Sequence, residues 1–213
     1  MITTSRQQLS CNCIALVAIA MSALLAACAA QQQLLNSERI EARYGSYAVR
    51  VLQQDERIRV SSLESFSRGH AVTRTLAITQ FAEPAPALAD IAARIRAGAS
   101  IGSTFRKAGF QIEKPPVYIG TIEIPADASV VAQLMGIELP ASLAMHAYQF
   151  DVSRHGERYR FATITELHHP DYLQEEQLRE NYGVPETSNA AEAARIKINV
   201  QRLLSELPAT VTP

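Results

Sequence analysis

The sequence predicts an α+β domain in which helices cover an antiparallel sheet. Stretches with a two-residue apolar period follow one another across short turns, which is typical of antiparallel strands. Segments with a helical period stand between and after these runs of strands, rather than alternating with single strands. The chain of 213 residues is long enough for one domain with its own hydrophobic core.

The first three predicted strands form a meander. They cover 46–53, 57–66 and a stretch that begins at Gly69, with the turn Gln53-Gln54-Asp55-Glu56 between the first two. In the third strand Arg74 shares its predicted face with Val72 and Leu76. The alternation therefore predicts a cation on an apolar face.

Two helices are framed by proline and glycine. Pro84 and Pro86 end the meander and open the first helix, for which Gly98 is the predicted C-cap. Ser100 is the predicted N-cap of the second helix, which Gly109 closes.

A hairpin is the clearest element of the C-terminal half. A strand over 117–124 and a short helix that Asp127 caps come before it. The hairpin alternates over 146–153, turns at His155-Gly156 and returns over 160–168.

Two further helices follow the hairpin. Asp171 and Gln174 have the spacing of a capping box, and Gly183 ends this helix. The C-terminal helix begins near Asn189, with Glu192 at the box position. Its predicted apolar stripe consists of Ile196, Val200, Leu203, Leu204 and Leu207. Such a stripe ordinarily covers a sheet.

The N-terminal segment has the composition of a secretory signal. Arg6 is the one charge in 1–12, and 13–27 contains none. This apolar run is shorter than the roughly 20 residues of a membrane-spanning helix. It ends in Leu25-Ala26-Ala27-Cys28, which resembles the lipobox of bacterial lipoproteins.

The lipobox resemblance implies cleavage before Cys28, lipidation of its sulfur and acylation of the new N-terminus. Ala29, rather than Asp, follows Cys28 and indicates the outer membrane, with the domain facing the periplasm. An uncleaved anchor and an ordinary signal peptide with an incidental cysteine are the alternatives. The predicted organisation is a leader over 1–27, a lipidated tether over 28–43, an α+β domain over 44–183 and a C-terminal helix and tail over 184–213.

Composition narrows the class of partner. The formal net charge is −1, so no basic surface indicates nucleic acid. Cys11, Cys13 and Cys28 all lie in the leader or at the lipidation site, so the mature domain has no disulfide. His168 and His169 would point to opposite faces of a strand and cannot bind one metal together. No metal and no cofactor is predicted.

The segment Gly98-Ala99-Ser100-Ile101-Gly102 matches the G-x-S-x-G pattern of hydrolase nucleophile elbows. That elbow needs a strand before the serine, whereas a helix is predicted there. Because Ser is a favoured N-cap, we interpret Ser100 as a helix cap rather than as a nucleophile.

Charged residues inside strands are the other candidates for a site. Glu166 shares its predicted face with Ala162 and Ile164, so a carboxylate lies on an apolar side. Such a group needs a cationic partner or keeps its proton, since desolvation raises its pKa. Arg59 and Arg74 could pair with Glu166 in a structural ion pair, or the three charges could serve a binding site.

The order of several short motifs adds to this interpretation. Arg59 stands in one strand and Arg74-Thr75 in the strand after the turn. Further motifs follow in the order Ser100-Ile101-Gly102-Ser103, Val117-Tyr118-Ile119-Gly120 and Thr165-Glu166-Leu167-His168-His169-Pro170. This succession resembles chorismate lyase and the related ligand-sensing domain of some bacterial transcription regulators.

The resemblance implies an antiparallel sheet whose helices enclose a small-molecule cavity. In such a fold Arg59 would bind a carboxylate and Glu166 would face the hydroxyl end of the ligand. Ile101, with Gly102 beside it, would lend its backbone to the ligand. Arg74 is the fifth candidate for ligand binding.

Three departures argue against chorismate lyase activity. The stretch 125–143 is longer than the family pattern, and Glu113-Lys114 stand where an Arg is usual. Chorismate is also made and used in the cytoplasm, whereas this domain is predicted outside it. Since one fold hosts many functions, a non-enzymatic domain is favoured.

The predicted function is an outer-membrane lipoprotein that binds a small aromatic or carboxylate ligand through Arg59 and Glu166. An envelope structural or assembly protein, which binds a protein partner through its sheet or its C-terminal helix, is the alternative. The third possibility is an enzyme, either a carbon–oxygen lyase of the chorismate lyase type or a hydrolase with Ser100.

Overall fold

A computed structural model of the chain describes residues 34–185 and 190–207. The predicted leader over 1–27 and the lipidation site Cys28 lie outside these residues, as does Asn189, the predicted start of the last helix. The described part of the chain is an α+β domain, as the sequence predicts, because one antiparallel sheet is covered by helices.

The sheet of the described residues has seven strands. They are β1 (Ala48–Gln54), β2 (Ile58–Ser67), β3 (His70–Phe81), β4 (Gln111–Glu113), β5 (Pro116–Ile124), β6 (Ala141–Arg154) and β7 (Glu157–His168). Their order is β1-β2-β3-β7-β6, and β6 then pairs with both β4 and β5. The predicted meander thus meets the predicted hairpin where β3 pairs with β7.

Six α-helices are found in the same residues, and a short 3-10 helix, Pro86–Leu88, precedes the second of them. They are α1 (Asn36–Tyr44), α2 (Ala89–Arg96), α3 (Ile101–Lys107), α4 (Ser129–Met135), α5 (Glu175–Tyr182) and α6 (Ala190–Ser205). Ser100 is the N-cap residue of α3, as predicted, although its carbonyl, rather than its hydroxyl, accepts a side-chain hydrogen bond from Thr104 at 2.6 Å.

Two tight turns fix the register of the long hairpins. Arg68-Gly69 joins β2 to β3, and His155-Gly156 joins β6 to β7. All four residues have φ between 50° and 85°. Two-residue turns with positive φ at both positions match the twist of paired strands, and glycine adopts this conformation without steric cost.

Side chains alternate between two faces of the sheet. The apolar face carries Val60, Leu76, Met145 and Leu167, all buried in one hydrophobic core. Helices α4 and α6 cover this face with Val131, Leu134, Met135, Val200, Leu203 and Leu204. The predicted apolar stripe of the C-terminal helix therefore packs largely against the sheet of its own domain.

The polar face is the opposite one, and it carries Arg59, His146, Glu166 and His168. Apolar residues surround these groups in two further clusters. Helices α1, α2, α3 and α5 cover this face with Ile40, Ile91, Ile95, Phe105 and Leu178. Helix α1 begins within the segment that the sequence assigns to a tether, and its residue Ile40 is fully buried.

Arg74 departs from the predicted alternation because it lies in a β-bulge. The pairing of β2 with β3 shifts register beside it, so that Thr73 and Thr75 lie opposite neighbouring residues of β2. The Arg74 guanidinium lies 3.9 Å from the ring centroid of Tyr44 in α1, whereas Leu76 belongs to the core of the apolar face. The prediction that Arg74 and Leu76 share a face is wrong, since an extra residue in a bulge breaks the two-residue period.

Helix α5 begins later than predicted. Its N-cap is Gln174, whose backbone N–H donates to Gln177 Oε1 at 3.0 Å, so the capping box does not start at Asp171. Tyr172 and Leu173 are buried before the helix begins, and their packing delays it. Strand β4 was not predicted either, because three residues are too few to display a period.

In the part of the chain that the structure describes, strand β5 has a strand neighbour on one side only, which is β6. Two of its carbonyls accept hydrogen bonds from helix side chains. Arg179 of α5 donates to the carbonyl of Ile119 at 3.1 Å, and Gln201 of α6 donates to that of Glu123 at 3.4 Å.

Candidate functional site

A cavity opens between the polar face of the sheet and the N-terminal ends of α1 and α3. Its free volume is about 60 Å³, within a recess of about 500 Å³ that includes solvent-filled space. Polar and charged side chains line much of it: Asn36, Ser37, Tyr47, Arg59, Ser61, Thr79, Ser100, Lys114, Tyr148 and Glu166. Apolar side chains of β1, β2, β6 and β7 complete the wall.

Four of the five residues selected from the sequence line this cavity. Arg59 comes from β2, Ile101 and Gly102 from the first turn of α3, and Glu166 from β7. Arg74 is not among the lining residues. Its Nε donates to Ser65 at 2.8 Å and its guanidinium stacks on Tyr44.

Arg59 is 1% exposed and is held by the backbone at the end of α2. Its Nη1 donates to the carbonyl of Ile95 at 3.1 Å and to that of Ala99 at 2.9 Å. Its Nε has no hydrogen-bond partner within residues 34–185 and 190–207. Burial lowers the pKa of Arg59, and the charge of Tyr47 opposes this shift. Arginine nevertheless keeps its charge, so a cation faces the cavity.

Glu166 is 3% exposed and lies on the same wall. Its Oε1 accepts a hydrogen bond from Tyr148 Oη at 3.2 Å, while Oε2 lies 3.9 Å from His168 Nε2. Burial raises the pKa of Glu166, and the charge of Lys114 and the side chains of Asn36 and Tyr148 oppose this shift. Within residues 34–185 and 190–207, Glu166 forms no ion pair with Arg59 or Arg74, so the structural pair that the sequence left open is not found there; the two guanidinium groups bond to backbone carbonyls and to Ser65 instead.

Lys114 is a cavity residue that the sequence did not select. Its Nζ lies 5.2 Å from the ring centroid of Tyr148, and its charge acts on Glu166. Burial lowers its pKa, which the negative charge of Glu166 counteracts. The sequence did draw attention to this position, because Glu113-Lys114 stand where the chorismate lyase pattern, which the chain resembles, has an Arg.

Gly102 allows α1 and α3 to meet at the cavity. A Cβ atom at this position would lie 3.0 Å from both Cδ atoms of Leu35, which is tighter than ordinary van der Waals contact. Leu35 is buried and precedes α1, so the absence of a side chain at Gly102 lets the start of α1 approach.

Buried imidazole and phenol groups extend from Glu166 along the polar face. The His146 ring lies 4.1 Å from that of Tyr182 and 4.7 Å from that of Tyr148, measured between centroids. Burial, followed by nearby positive charges, lowers the pKa of His146 well below its ordinary value and that of His168 to about 3. Both histidines are therefore neutral at pH 7.

Ser100 has no nucleophile-elbow geometry. It follows helix α2 rather than a strand, and its hydroxyl lies 3.4 Å from Tyr47 Oη. The interpretation of Ser100 as a helix-capping position agrees with the structure. Among the residues that the structure covers, no three His, Cys, Asp or Glu side chains are grouped so that they could hold a metal ion.

Comparison with known protein families and with curated proteins finds no match to this chain. Within 34–185 and 190–207, no helix has both the length and the apolar character that crossing a bilayer requires. The geometry itself defines the class of site: a partly open cavity of an α+β domain, with a buried guanidinium on one strand and a buried carboxyl on another.

Proposed function

We propose that this chain is a lipid-anchored lipoprotein of the outer membrane, facing the periplasm, whose domain binds a small carboxylic acid. Its fold would be of the chorismate lyase type, and its activity binding rather than catalysis. The observation that carries this proposal is the meeting of Arg59, Ile101, Gly102 and Glu166 in one cavity, although they come from three separate elements.

The charge of Arg59 favours an anionic ligand. In the described residues its hydrogen bonds go to two backbone carbonyls, and no carboxylate neutralises it. A buried charge without a counter-charge is costly, so an acid group of a ligand beside Arg59 would gain a charge-assisted hydrogen bond.

The cavity volume limits the size of the ligand. One water needs roughly 10–15 Å³ of such volume, so about 60 Å³ holds about four to six waters. A carboxylate with a few attached atoms fills that space, and the rest of the molecule would extend into the larger recess. Apolar wall residues such as Phe150 and Ile164 suit a ring or a short hydrocarbon.

The arrangement of the domain also supports the proposed fold type. The resembling family has an antiparallel sheet whose helices enclose a ligand cavity, and here helices α1 and α3 border the cavity on such a sheet. The lipid anchor rests on Leu25-Ala26-Ala27-Cys28, which lies outside the described residues.

The lipid anchor and the binding site are tested separately. The protein should carry palmitate, which Cys28→Ala should remove. Calorimetric titration of the membrane-derived protein in mild detergent tests the binding site. The protein should bind 4-hydroxybenzoate or chorismate, and Arg59→Ala should weaken binding about tenfold or more, since a hydrogen bond to a charged group contributes about 1.5–3 kcal/mol.

Arg74→Ala is the matched control, because it removes a second buried guanidinium that lies outside the cavity. Its affinity should remain within about twofold of the wild type. Absence of heat with both compounds, or equal losses in the two variants while both remain folded, would overturn the proposed site. Release of pyruvate from chorismate would replace binding by lyase catalysis.

A further inference from the structure

A chain of hydrogen bonds runs from the first turn of α1 to His168, whose ring stands beside Glu166. Tyr172 Oη donates to Asn36 Oδ1 at 2.7 Å, and Asn36 Nδ2 donates to Thr75 Oγ1 at 3.1 Å. Thr75 Oγ1 in turn lies 3.1 Å from His168 Nδ1. His168 Nε2 then faces Glu166 Oε2 at 3.9 Å. Every side chain in this relay is buried.

The donors along the relay favour one arrangement of its protons. The Asn36 amide is oriented by two neighbours, because its Oδ1 accepts from Tyr172 and its Nδ2 donates to Thr75 Oγ1. Thr75 accepts from Asn36 and has one hydroxyl proton, which it can donate to His168 Nδ1. A neutral imidazole with an acceptor at Nδ1 carries its proton on Nε2.

We propose that Asn36, Thr75 and His168 are positioning residues for the cavity. The relay holds His168 as the Nε2–H tautomer, so an N–H group faces Glu166 Oε2 and the carboxyl is kept as a hydrogen-bond acceptor. The link to ligand recognition rests on the proposed function: the ligand would present a hydroxyl or amino donor to Glu166 and an acid group to Arg59.

The relay also links helix α1 to the strand that carries Glu166. Asn36 and Glu166 both line the cavity, but Asn36 belongs to α1 and Glu166 to β7. Displacement of α1 would break the Asn36–Thr75 bond and release the tautomer of His168. On this proposal the tautomer of His168 depends on the position of α1.

Several other groups act on Glu166 and set the background for any pH dependence. Tyr148 donates to Oε1, and Lys114 and Arg39 contribute positive charge. The charge of Glu166 in turn acts on phenols of other elements packed against it, which are Tyr47, Tyr172 and Tyr182. His146 lies opposite Glu166 in the neighbouring strand. None of these is changed by a substitution at Thr75.

Nitrogen NMR of the histidine rings in the full chain tests the tautomer without any ligand. Wild-type His168 should be the Nε2–H form. Thr75→Val should yield a substantial Nδ1–H fraction, whereas Thr75→Ser, which keeps the hydroxyl, should retain the wild-type spectrum. Thr73→Val is the matched control, because Thr73 is an equally buried threonine bonded to Ser62 instead, at 2.7 Å. An Nδ1–H wild type, or an unchanged ring in Thr75→Val, would overturn the relay.

The pH profile of 4-hydroxybenzoate binding gives the second readout. Thr75→Val should weaken binding about fivefold at pH 7, which corresponds to one lost hydrogen bond. It should also move the carboxyl-linked midpoint to higher pH, since a donor that supported the charged form is gone. Thr73→Val should change neither quantity. If the tautomer is as stated but no ligand binds, the proposed function fails alone. If ligand binds normally and the tautomer differs, the relay fails alone.

Discussion

The two faces of the sheet are built from the same strands but from opposite chemistry. Leu167 on the apolar face stands between Glu166 and His168 on the polar face, and Met145 adjoins His146 in the same way. Adjacent residues of one strand thus serve a hydrophobic core and a polar cavity. The comparison shows how a small domain without disulfides places a hydrophobic core and a polar cavity on opposite sides of one sheet.

The energetic contributions of the two faces have opposite sign. Each large side chain buried on the apolar face contributes about 1.5–3 kcal/mol of hydrophobic stabilisation. On the polar face, several polar atoms are buried without a hydrogen-bond partner in the described residues, among them His146 Nδ1 and Glu166 Oε2. Each such atom costs about 1–3 kcal/mol. The apolar face offsets the cost of the cavity.

The largest effect is expected on the apolar face. Leu143 is fully buried in its core, so Leu143→Ala should lower the free energy of unfolding by about 2–5 kcal/mol through lost contacts and a residual cavity. Ile198→Ala is the control. Ile198 lies on α6, the helix that covers this face, but it is 64% exposed, so the free energy of unfolding should change by less than about 0.5 kcal/mol. Denaturant titration measures both. A Leu143 variant that lost ligand affinity while still folded would show that the faces are not separate.

An intermediate effect is expected from acidification of the polar face. His168 has its pKa lowered to about 3 in the folded protein, so below the ordinary histidine pKa of about 6.5 the unfolded chain binds a proton that the folded protein does not. Stability should therefore fall as the pH drops below about 6.5, by about 1.4 kcal/mol per pH unit for each such histidine. His146 adds to this loss, since its pKa is lowered in the same direction.

Glu166 contributes with the opposite sign, because its raised pKa reduces stability as the pH rises past the ordinary carboxyl range. Unfolding curves between pH 7 and 4.5 contain all three contributions, and the difference between the wild type and His168→Gln gives that of His168. His168→Gln should reduce the slope by about one proton, whereas His70→Gln, at an exposed position, should leave it unchanged. Equal slopes in the wild type and in His168→Gln would mean that His168 is charged when folded.

The smallest effect on stability is expected where the two helices meet at the cavity. In Gly102→Ala the new methyl must displace Leu35 by a few tenths of an ångström, while alanine favours the helix by about 1 kcal/mol over glycine. The free energy of unfolding should change by less than about 1 kcal/mol, but the affinity for 4-hydroxybenzoate should fall because the cavity wall moves. Ser103→Ala in the same helix, outside the cavity lining, should leave affinity unchanged. Tight binding by the Gly102 variant would place the ligand away from α3.

Much of the fold could be predicted because its signals are local. The turns at Gly69 and His155-Gly156 follow from the need for positive φ, and the alternation of the long strands predicts their two faces. The bulge at Arg74 could not be predicted, since an extra residue leaves no mark in the period until the partner strand is known. The start of α5 was missed because the burial of Tyr172 and Leu173 is a tertiary effect.

The candidate site was only partly visible in the sequence. Glu166 stood out as a carboxylate on an apolar face, and the order of motifs associated it with Arg59 and Ile101. Lys114 did not stand out, because its place in the cavity depends on how the chain enters β5. The relay could not be predicted from the sequence, because Thr75 and His168 come together only when β3 pairs with β7.

The occupied carbonyls of β5 bear on how copies of the protein behave when they are crowded. A new strand could align with β5 only after displacing Arg179 and Gln201, which already bind the carbonyls of Ile119 and Glu123. Unpaired sheet edges are the usual templates for aggregation, and natural proteins obstruct them. Helices α5 and α6 therefore hinder the addition of another strand at this edge of the sheet, in addition to packing against the core.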